Sequence, residues 1–71
     1  MQRPLDVLGS SMEKKIIVRT KQNEHVTGTL RAFDSHINIW LDDAIISGDK
    51  EVKLGKVLIR GDSIVYISPE K

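Results

Sequence analysis

His36, Asn38, Arg60 and Asp62 are the side chains of this sequence best suited to gripping a flat, hydrogen-bonding ligand. Asn38 carries an amide that both donates and accepts, so it can read the edge of a nucleobase. His36 has a flat ring on which a base can stack. Arg60 has a planar cationic guanidinium that can cover the other face of the same base. His36 and Arg60 fall at breaks between apolar runs, and such loops are where small barrels bind ligands. If the two loops meet, they form a slot for one base. Taken singly, each residue is an ordinary polar loop or strand-start residue. The argument rests on their joint presence at two loops.

Other chemistries fit less well. Asp34, Ser35 and His36 contain the residue types of a nucleophilic triad. They are consecutive, however, and triads are assembled across a fold rather than along three neighbouring residues. Asp42-Asp43 could suggest an acid pair, but it reads as a strand exit with solvated carboxylates. Arg60-Gly61-Asp62 is also an adhesion tripeptide, a role that needs a secreted protein, and no signal peptide opens the chain. There are no cysteines, and the two histidines, His25 and His36, lack metal-ligand spacing. No enzyme, metal site or cofactor is expected.

Those residues must be held by a small frame. Seventy-one residues make one domain, 1–71, with a marginal core. Without disulfides or a metal, the remaining way to stabilise it is oligomerisation. A net charge of +1 with 30% charged residues describes a soluble domain rather than a polybasic arm. No apolar run approaches a membrane span. The expected setting is intracellular and cytoplasmic, with no membrane partner.

In chain order, Arg3-Pro4-Leu5-Asp6-Val7-Leu8-Gly9 reads as a short helix over about 3–10. Pro4 suits its first turn, Gly9 its end, and Leu5 and Leu8 form a small apolar stripe. Residues 13–20 read as a strand with Ile16 and Val18 buried and Ile17 and Arg19 opposite. In the turn that follows, Asn23 is the candidate for a positive φ. Residues 25–34 form a second strand with Val26, Gly28, Leu30 and Ala32 on one face, Gly28 marking a bend. Residues 37–44 alternate with Ile37, Ile39 and Leu41 inward and Asn38 and Trp40 outward. Ser47-Gly48-Asp49-Lys50 is a turn, residues 52–60 a strand interrupted by Gly55, and residues 65–68 a fifth strand before a tail, Pro69-Glu70-Lys71. Val57–Ile59 and Ile64–Ile67 read locally as a hairpin joined at Arg60-Gly61-Asp62. A short helix and five antiparallel strands in sequential hairpins make a mainly β, partly closed barrel. The fourth and fifth strands are its candidate edges, and an unpaired apolar edge invites another chain.

Two longer stretches, taken whole, resemble the Sm and Sm-like (LSm) RNA-binding family, in particular its short archaeal members. Gly28-Thr29-Leu30-Arg31-Ala32-Phe33-Asp34-Ser35-His36-Ile37-Asn38-Ile39-Trp40-Leu41-Asp42-Asp43-Ala44 resembles the core of the first Sm motif, spanning about 16–46. Val57-Leu58-Ile59-Arg60-Gly61-Asp62-Ser63-Ile64-Val65-Tyr66-Ile67-Ser68-Pro69 resembles the second, about 54–69. The resemblance implies the Sm fold: a short helix on a strongly bent five-stranded antiparallel sheet forming a small open barrel. It also implies rings, commonly heptamers, made by pairing the fourth strand of one subunit with the fifth of the next. Single-stranded U-rich RNA would bind at the inner rim, in the service of RNA metabolism and ribonucleoprotein assembly. His36 and Arg60 match the residues that sandwich the base, and Asn38 matches the one that bonds its edge. Asp62 matches a residue beside the pocket, Gly61 lets the backbone turn close to the base, and Asp34 matches an acid that orients the others. The departures are Ile37 for a frequent methionine, Phe33 for a frequent tyrosine, and Trp40 at an outward position usually aliphatic. A structural ring without a specific RNA is the alternative; preference for oligo-uridine over oligo-adenosine separates the two.

Overall fold

The computed structural model describes residues 4–69. Arg3, the expected helix start, and the tail residues Glu70 and Lys71 lie outside the described residues. The elements are α1 (Pro4–Ser10), β1 (Lys15–Thr20), β2 (His25–Phe33), β3 (Ile39–Ser47), β4 (Glu51–Ile59), a 3-10 turn (Gly61–Ser63) and β5 (Ile64–Pro69). All strand pairs are antiparallel, in the order β4-β3-β2-β1-β5.

That order overturns the local hairpin reading. β4 and β5 do not pair; they are the two edges, and β5 pairs β1 through Val18↔Ile67 and Ile17↔Ser68. The tight hairpin turns need a positive φ, and among the described glycines only Gly55 has one. Arg60-Gly61-Asp62 instead winds into a 3-10 turn, closed by the Ser63 N–H on the Arg60 carbonyl at 3.0 Å. The link also explains the bend. Edge strands of a flat five-stranded sheet would lie about 19 Å apart, at about 4.8 Å per strand. Residues 60–63, partly wound at about 2 Å rise per residue, cannot span that. The sheet must therefore curl so that the end of β4 approaches the start of β5. The sheet is bent but not closed.

Period-two alternation builds the interior. Ile16, Val18, Val26, Leu30, Ile39, Leu41, Ala44 and Ile59 are buried, and Leu8 of α1 caps them. Gly28 sits at a register shift between β2 and β3, where a Cβ would lie 3.1 Å from the Asp42 carbonyl oxygen and 3.2 Å from Leu41 Cβ. The bend expected there is a close approach of two backbones. Asn23 has φ 64, as its turn chemistry suggested.

Several expectations need correction. Leu5 does not share the burial of Leu8 but is 41% exposed, because the docked face of so short a helix admits little beyond Leu8 and half of Val7. β1 starts at Lys15 rather than at residue 13, where Glu13 takes φ 65. Ala32 is exposed rather than inward, because a second register shift between Leu30 and Ala32 moves the alternation by one; Phe33 packs on the core instead. Ile37 is not the first residue of the third strand: it turns through φ 63, half-buried, and β3 begins at Ile39. Asp42-Asp43 is not a strand exit. It is a bulge inside β3, with Asp43 at φ 52, and the strand runs on to Ser47. Asp42 accepts from Arg31, which also pairs with Glu13. Among the described residues no helix is long and apolar enough to cross a membrane, and no group of three or more acidic or histidine side chains could hold a metal.

Candidate nucleic-acid interface

The β2–β3 loop is folded by one carboxylate. Asp34 Oδ1 accepts the backbone N–H of His36 at 2.9 Å and of Asn38 at 3.1 Å, and Oδ2 accepts from Asn38 Nδ2 at 3.1 Å. Two backbone bonds close the same turn: Ile37 N–H to the Asp34 carbonyl and Asp34 N–H to the Asn38 carbonyl, each at 3.1 Å. Between these points the chain passes through Ile37 in the left-handed region. That conformation costs a β-branched residue about 1–3 kcal/mol. The Asp34 bonds on both sides of Ile37, and its packing against the core, hold it there. The Asn38 side-chain amide holds the Asp34 carboxyl below its ordinary value; lost hydration opposes this, and the amides of Asn38 and His36 reinforce it. Asp34 thus holds the backbone of His36 and both the backbone and the side-chain amide of Asn38.

Asn38 joins this loop to the next. Its Oδ1 accepts the Gly61 N–H at 2.8 Å while its Nδ2 donates to Asp34. The donor on one side and the acceptor on the other leave only one orientation of the amide. One N–H and one lone pair remain unused, the minimum for reading a base edge. Gly61 is required by space. A Cβ at that position would overlap the His36 carbonyl oxygen and lie 3.0 Å from the Ile37 carbonyl carbon. The glycine therefore serves loop-on-loop contact, a more specific need than a tight turn. Asp62 Oδ2 accepts from Arg60 Nη2 at 3.0 Å, both side chains being exposed. Such an exposed pair adds at most about 1 kcal/mol of stability.

His36, Asn38, Arg60, Gly61 and Asp62 together line one open recess of about 500 Å³. Asp34 stands behind it, touching the recess only through Asn38 and His36. The structure thus brings all six sequence-selected residues into one connected group. The sequence reading missed Ile37. Its left-handed backbone sets the loop's reversal, yet a β-branched residue is the last type from which a positive φ would be read. The arrangement can present a ring, a guanidinium and a half-free amide to one flat ligand.

The LSM domain model matches residues 6–69. A solved structure of a Pyrococcus abyssii Sm protein in complex with a uridine heptamer is 41% identical, with a TM-score of 0.91 over 97% of this chain and all of that one (100%). The P. aerophilum SmAP1 heptamer superposes with a TM-score of 0.93 at 30% identity, over 100% of this chain and 97% of that one. An Sm-like protein of Archaeoglobus fulgidus is 46% identical over 69 residues, 94% of this chain and 90% of the relative.

Proposed function

This chain belongs to the LSM family, and from that premise we propose that it forms a homo-heptameric ring that binds single-stranded U-rich RNA at its inner rim. It is a binding protein, not an enzyme, and serves as a scaffold or chaperone in cytoplasmic RNA metabolism. The observation that carries this reading is the 2.8 Å bond from Gly61 N–H to Asn38 Oδ1, which ties the His36 loop to the Arg60 loop. The uridine-heptamer complex of the P. abyssii protein supports the choice of ligand.

One base enters between the His36 ring and the Arg60 guanidinium. The spare N–H and lone pair of Asn38 meet its edge. Asp34 holds Asn38, and Asp62 holds Arg60. The fold supplies the assembly: β4 and β5 are free edges at opposite ends of the sheet order. Exposed Leu54, Leu58, Val65 and Tyr66 lie along them. Head-to-tail pairing with constant rotation closes into a ring. An apolar groove of about 320 Å³ between α1 and β5, lined by Val7, Leu8, Ile64 and Tyr66 among others, gains cover in the same contact.

One stacked base contributes only about 1–3 kcal/mol. A strand that threads several pockets gains effective concentration at each step, so ring formation is what makes a weak pocket useful. Arg60→Ala should lower oligo-uridine affinity at least tenfold in fluorescence anisotropy while native mass spectrometry finds the ring mass unchanged. Unaltered affinity would overturn the pocket. Equal affinity of the native protein for oligo-uridine and oligo-adenosine would overturn the base preference.

A further inference from the structure

The loops of the base recess also wall the apolar groove between α1 and β5. His36 and Asn38 line the recess, but Ile37 between them lines the groove, with Val7, Leu8, Ile64 and Ile67. The second loop divides in the same way. Arg60, Gly61 and Asp62 line the recess, while Ile64, whose N–H bonds the Gly61 carbonyl, lines the groove. Both loops therefore stand between the recess and the groove. The Arg60 loop is tied to the body of the fold by the Lys21 N–H on the Ser63 carbonyl at 2.9 Å. Among the described residues, the hydrogen bonds that shape residues 34–38 are internal to that loop, apart from the one between Asn38 and Gly61. Its anchor to the body is the Ile37 side chain, half-buried against the core. The backbone there has φ 63, a conformation that a β-branched residue keeps only while its surroundings hold it.

We infer that Ile37 is a positioning residue that couples the groove to the recess: a second copy of this chain, seated over the groove, locks the Ile37 turn and so sets His36 and Asn38 for the base. The inference rests on the base-binding reading of the recess and on the pairing of β4 with β5, and it states what that pairing does to the site. A second copy is the occupant that fits. Ile67 of β5 stands opposite Val18, and Val52 and Val57 of β4 stand opposite Ile46 and Leu41, so all three side chains lie on the core side of the sheet. Val52 is nevertheless 48% exposed, because β4 is an edge. A sheet continued from β4 of one subunit to β5 of the next carries the core-side row of β4 over the groove. The open flank of Ile37 is then buried, and the left-handed turn gains a cover that a lone subunit lacks. A recess that is formed only part of the time binds more weakly in proportion, so a separate subunit should hold a single base less tightly than a ring does. Linkage makes the coupling reciprocal: a base in the recess favours the assembled state by the same factor.

Uridine monophosphate is the probe, because it fills one recess and gains nothing from threading several. Val52→Asp with Leu54→Asp charges the β4 edge and leaves every lining residue of the recess and the groove in place. Subunits released by this change, counted by sedimentation velocity and shown folded by circular dichroism, should bind uridine monophosphate about fivefold or more weakly than native rings in ligand-observed NMR. Saturating uridine monophosphate should in turn shift their sedimentation toward rings. In rings of native mass, Ile37→Ala should weaken the nucleotide by a similar factor, and Ile37→Leu, which keeps the apolar volume, should restore most of it. Ile37→Gly suits the backbone but removes the anchor, and should bind as weakly as Ile37→Ala. If released subunits bind like native rings, or if Ile37→Ala and Ile37→Gly rings do, the coupling fails while the recess stands. Where the charged variant unfolds or stays assembled, the Ile37 series decides; where the Ile37 variants do not assemble, the released subunits decide. If native rings bind neither uridine monophosphate nor oligo-uridine, the base reading and this inference fall together.

Discussion

The β2–β3 strand pair carries a polar recess near each end, and the two differ in how they are held. At one end stand His36, Asn38, Arg60, Gly61 and Asp62; at the other stand Gln22, Asn23, Glu24, His25, Ser47, Gly48 and Asp49. Their volumes are similar, about 500 and 430 Å³. The far recess is made of turns that satisfy themselves. Asn23 N–H bonds the Thr20 carbonyl at 3.0 Å, Thr20 N–H the Glu24 carbonyl at 2.9 Å, and Arg19 reaches Asn23. The near recess is made of two loops that depend on each other through Asn38 and Gly61. It also carries a guanidinium, Arg60, beside His36 and Asp62, where the far one sets His25 beside two carboxylates, Glu24 and Asp49, with no Lys or Arg. Size does not distinguish a binding site from a gap between turns. Cross-loop bonding and charge are what separate these two recesses.

The widest separation between the two ends should come from their glycines. A methyl on Gly61 would meet the His36 carbonyl and force the loops apart, breaking the bond to Asn38. Overpacking of this kind costs about 1–3 kcal/mol, and the lost hydrogen bond about 1 kcal/mol more. A methyl on Gly48 would meet only Glu24 Cγ at 3.5 Å, an ordinary contact. Gly61→Ala should therefore lower the urea midpoint clearly and reduce oligo-uridine affinity by more than tenfold. Gly48→Ala should stay within about 0.5 kcal/mol of the parent. Equal effects would mean that the loops are not coupled.

The same contrast explains what could be read from the sequence. The buried faces of β1 and the start of β2, Ile16, Val18, Val26 and Leu30, follow strict alternation and were legible. So was Asn23, whose side chain suits a positive φ. Alternation fails where a bulge inserts a residue, which is why Ala32 and Asp42-Asp43 were misplaced. It also fails at Ile37, where the carboxylate of Asp34 overrides a β-branched preference. The partner of β5 is a long-range choice that no local pattern encodes; Arg60-Gly61-Asp62 looks like a hairpin turn and is not one. In the site, residue types were readable because the polar residues 34–36 and 60–62 interrupt apolar runs. The reason for Gly61 was not, because the atom it must avoid belongs to a loop far earlier in the chain.

A smaller effect should separate the ends by pH. Asp34 is the group held below its ordinary carboxyl value of 3.8, chiefly by the Asn38 amide. In the unfolded chain it titrates at that ordinary value; in the folded loop it stays charged to lower pH. Its contribution is therefore complete above 3.8, shrinks as pH falls below it, and is gone once the folded carboxyl protonates. Asp34→Asn should remove that part of the acid dependence of stability, measured by urea titration at stepped pH, and should weaken oligo-uridine binding at neutral pH. An unchanged acid profile would mean that Asn38 is held by other contacts.

The smallest effect concerns charge at a distance. β2 spans nine residues, His25 to Phe33, which puts its ends at most about 26 Å apart at about 3.3 Å per residue, less the strand's bend. The carboxylates Glu24 and Asp49 therefore lie far beyond the Debye length of about 8 Å at physiological salt. Glu24→Gln with Asp49→Asn should leave oligo-uridine affinity within about twofold there. At about 0.01 M salt the screening length grows to about 30 Å, and removing two anions should then tighten binding modestly and speed association. A strong effect at physiological salt would mean that RNA reaches the far recess itself, and the contrast between a coupled site and a self-satisfied turn would no longer hold.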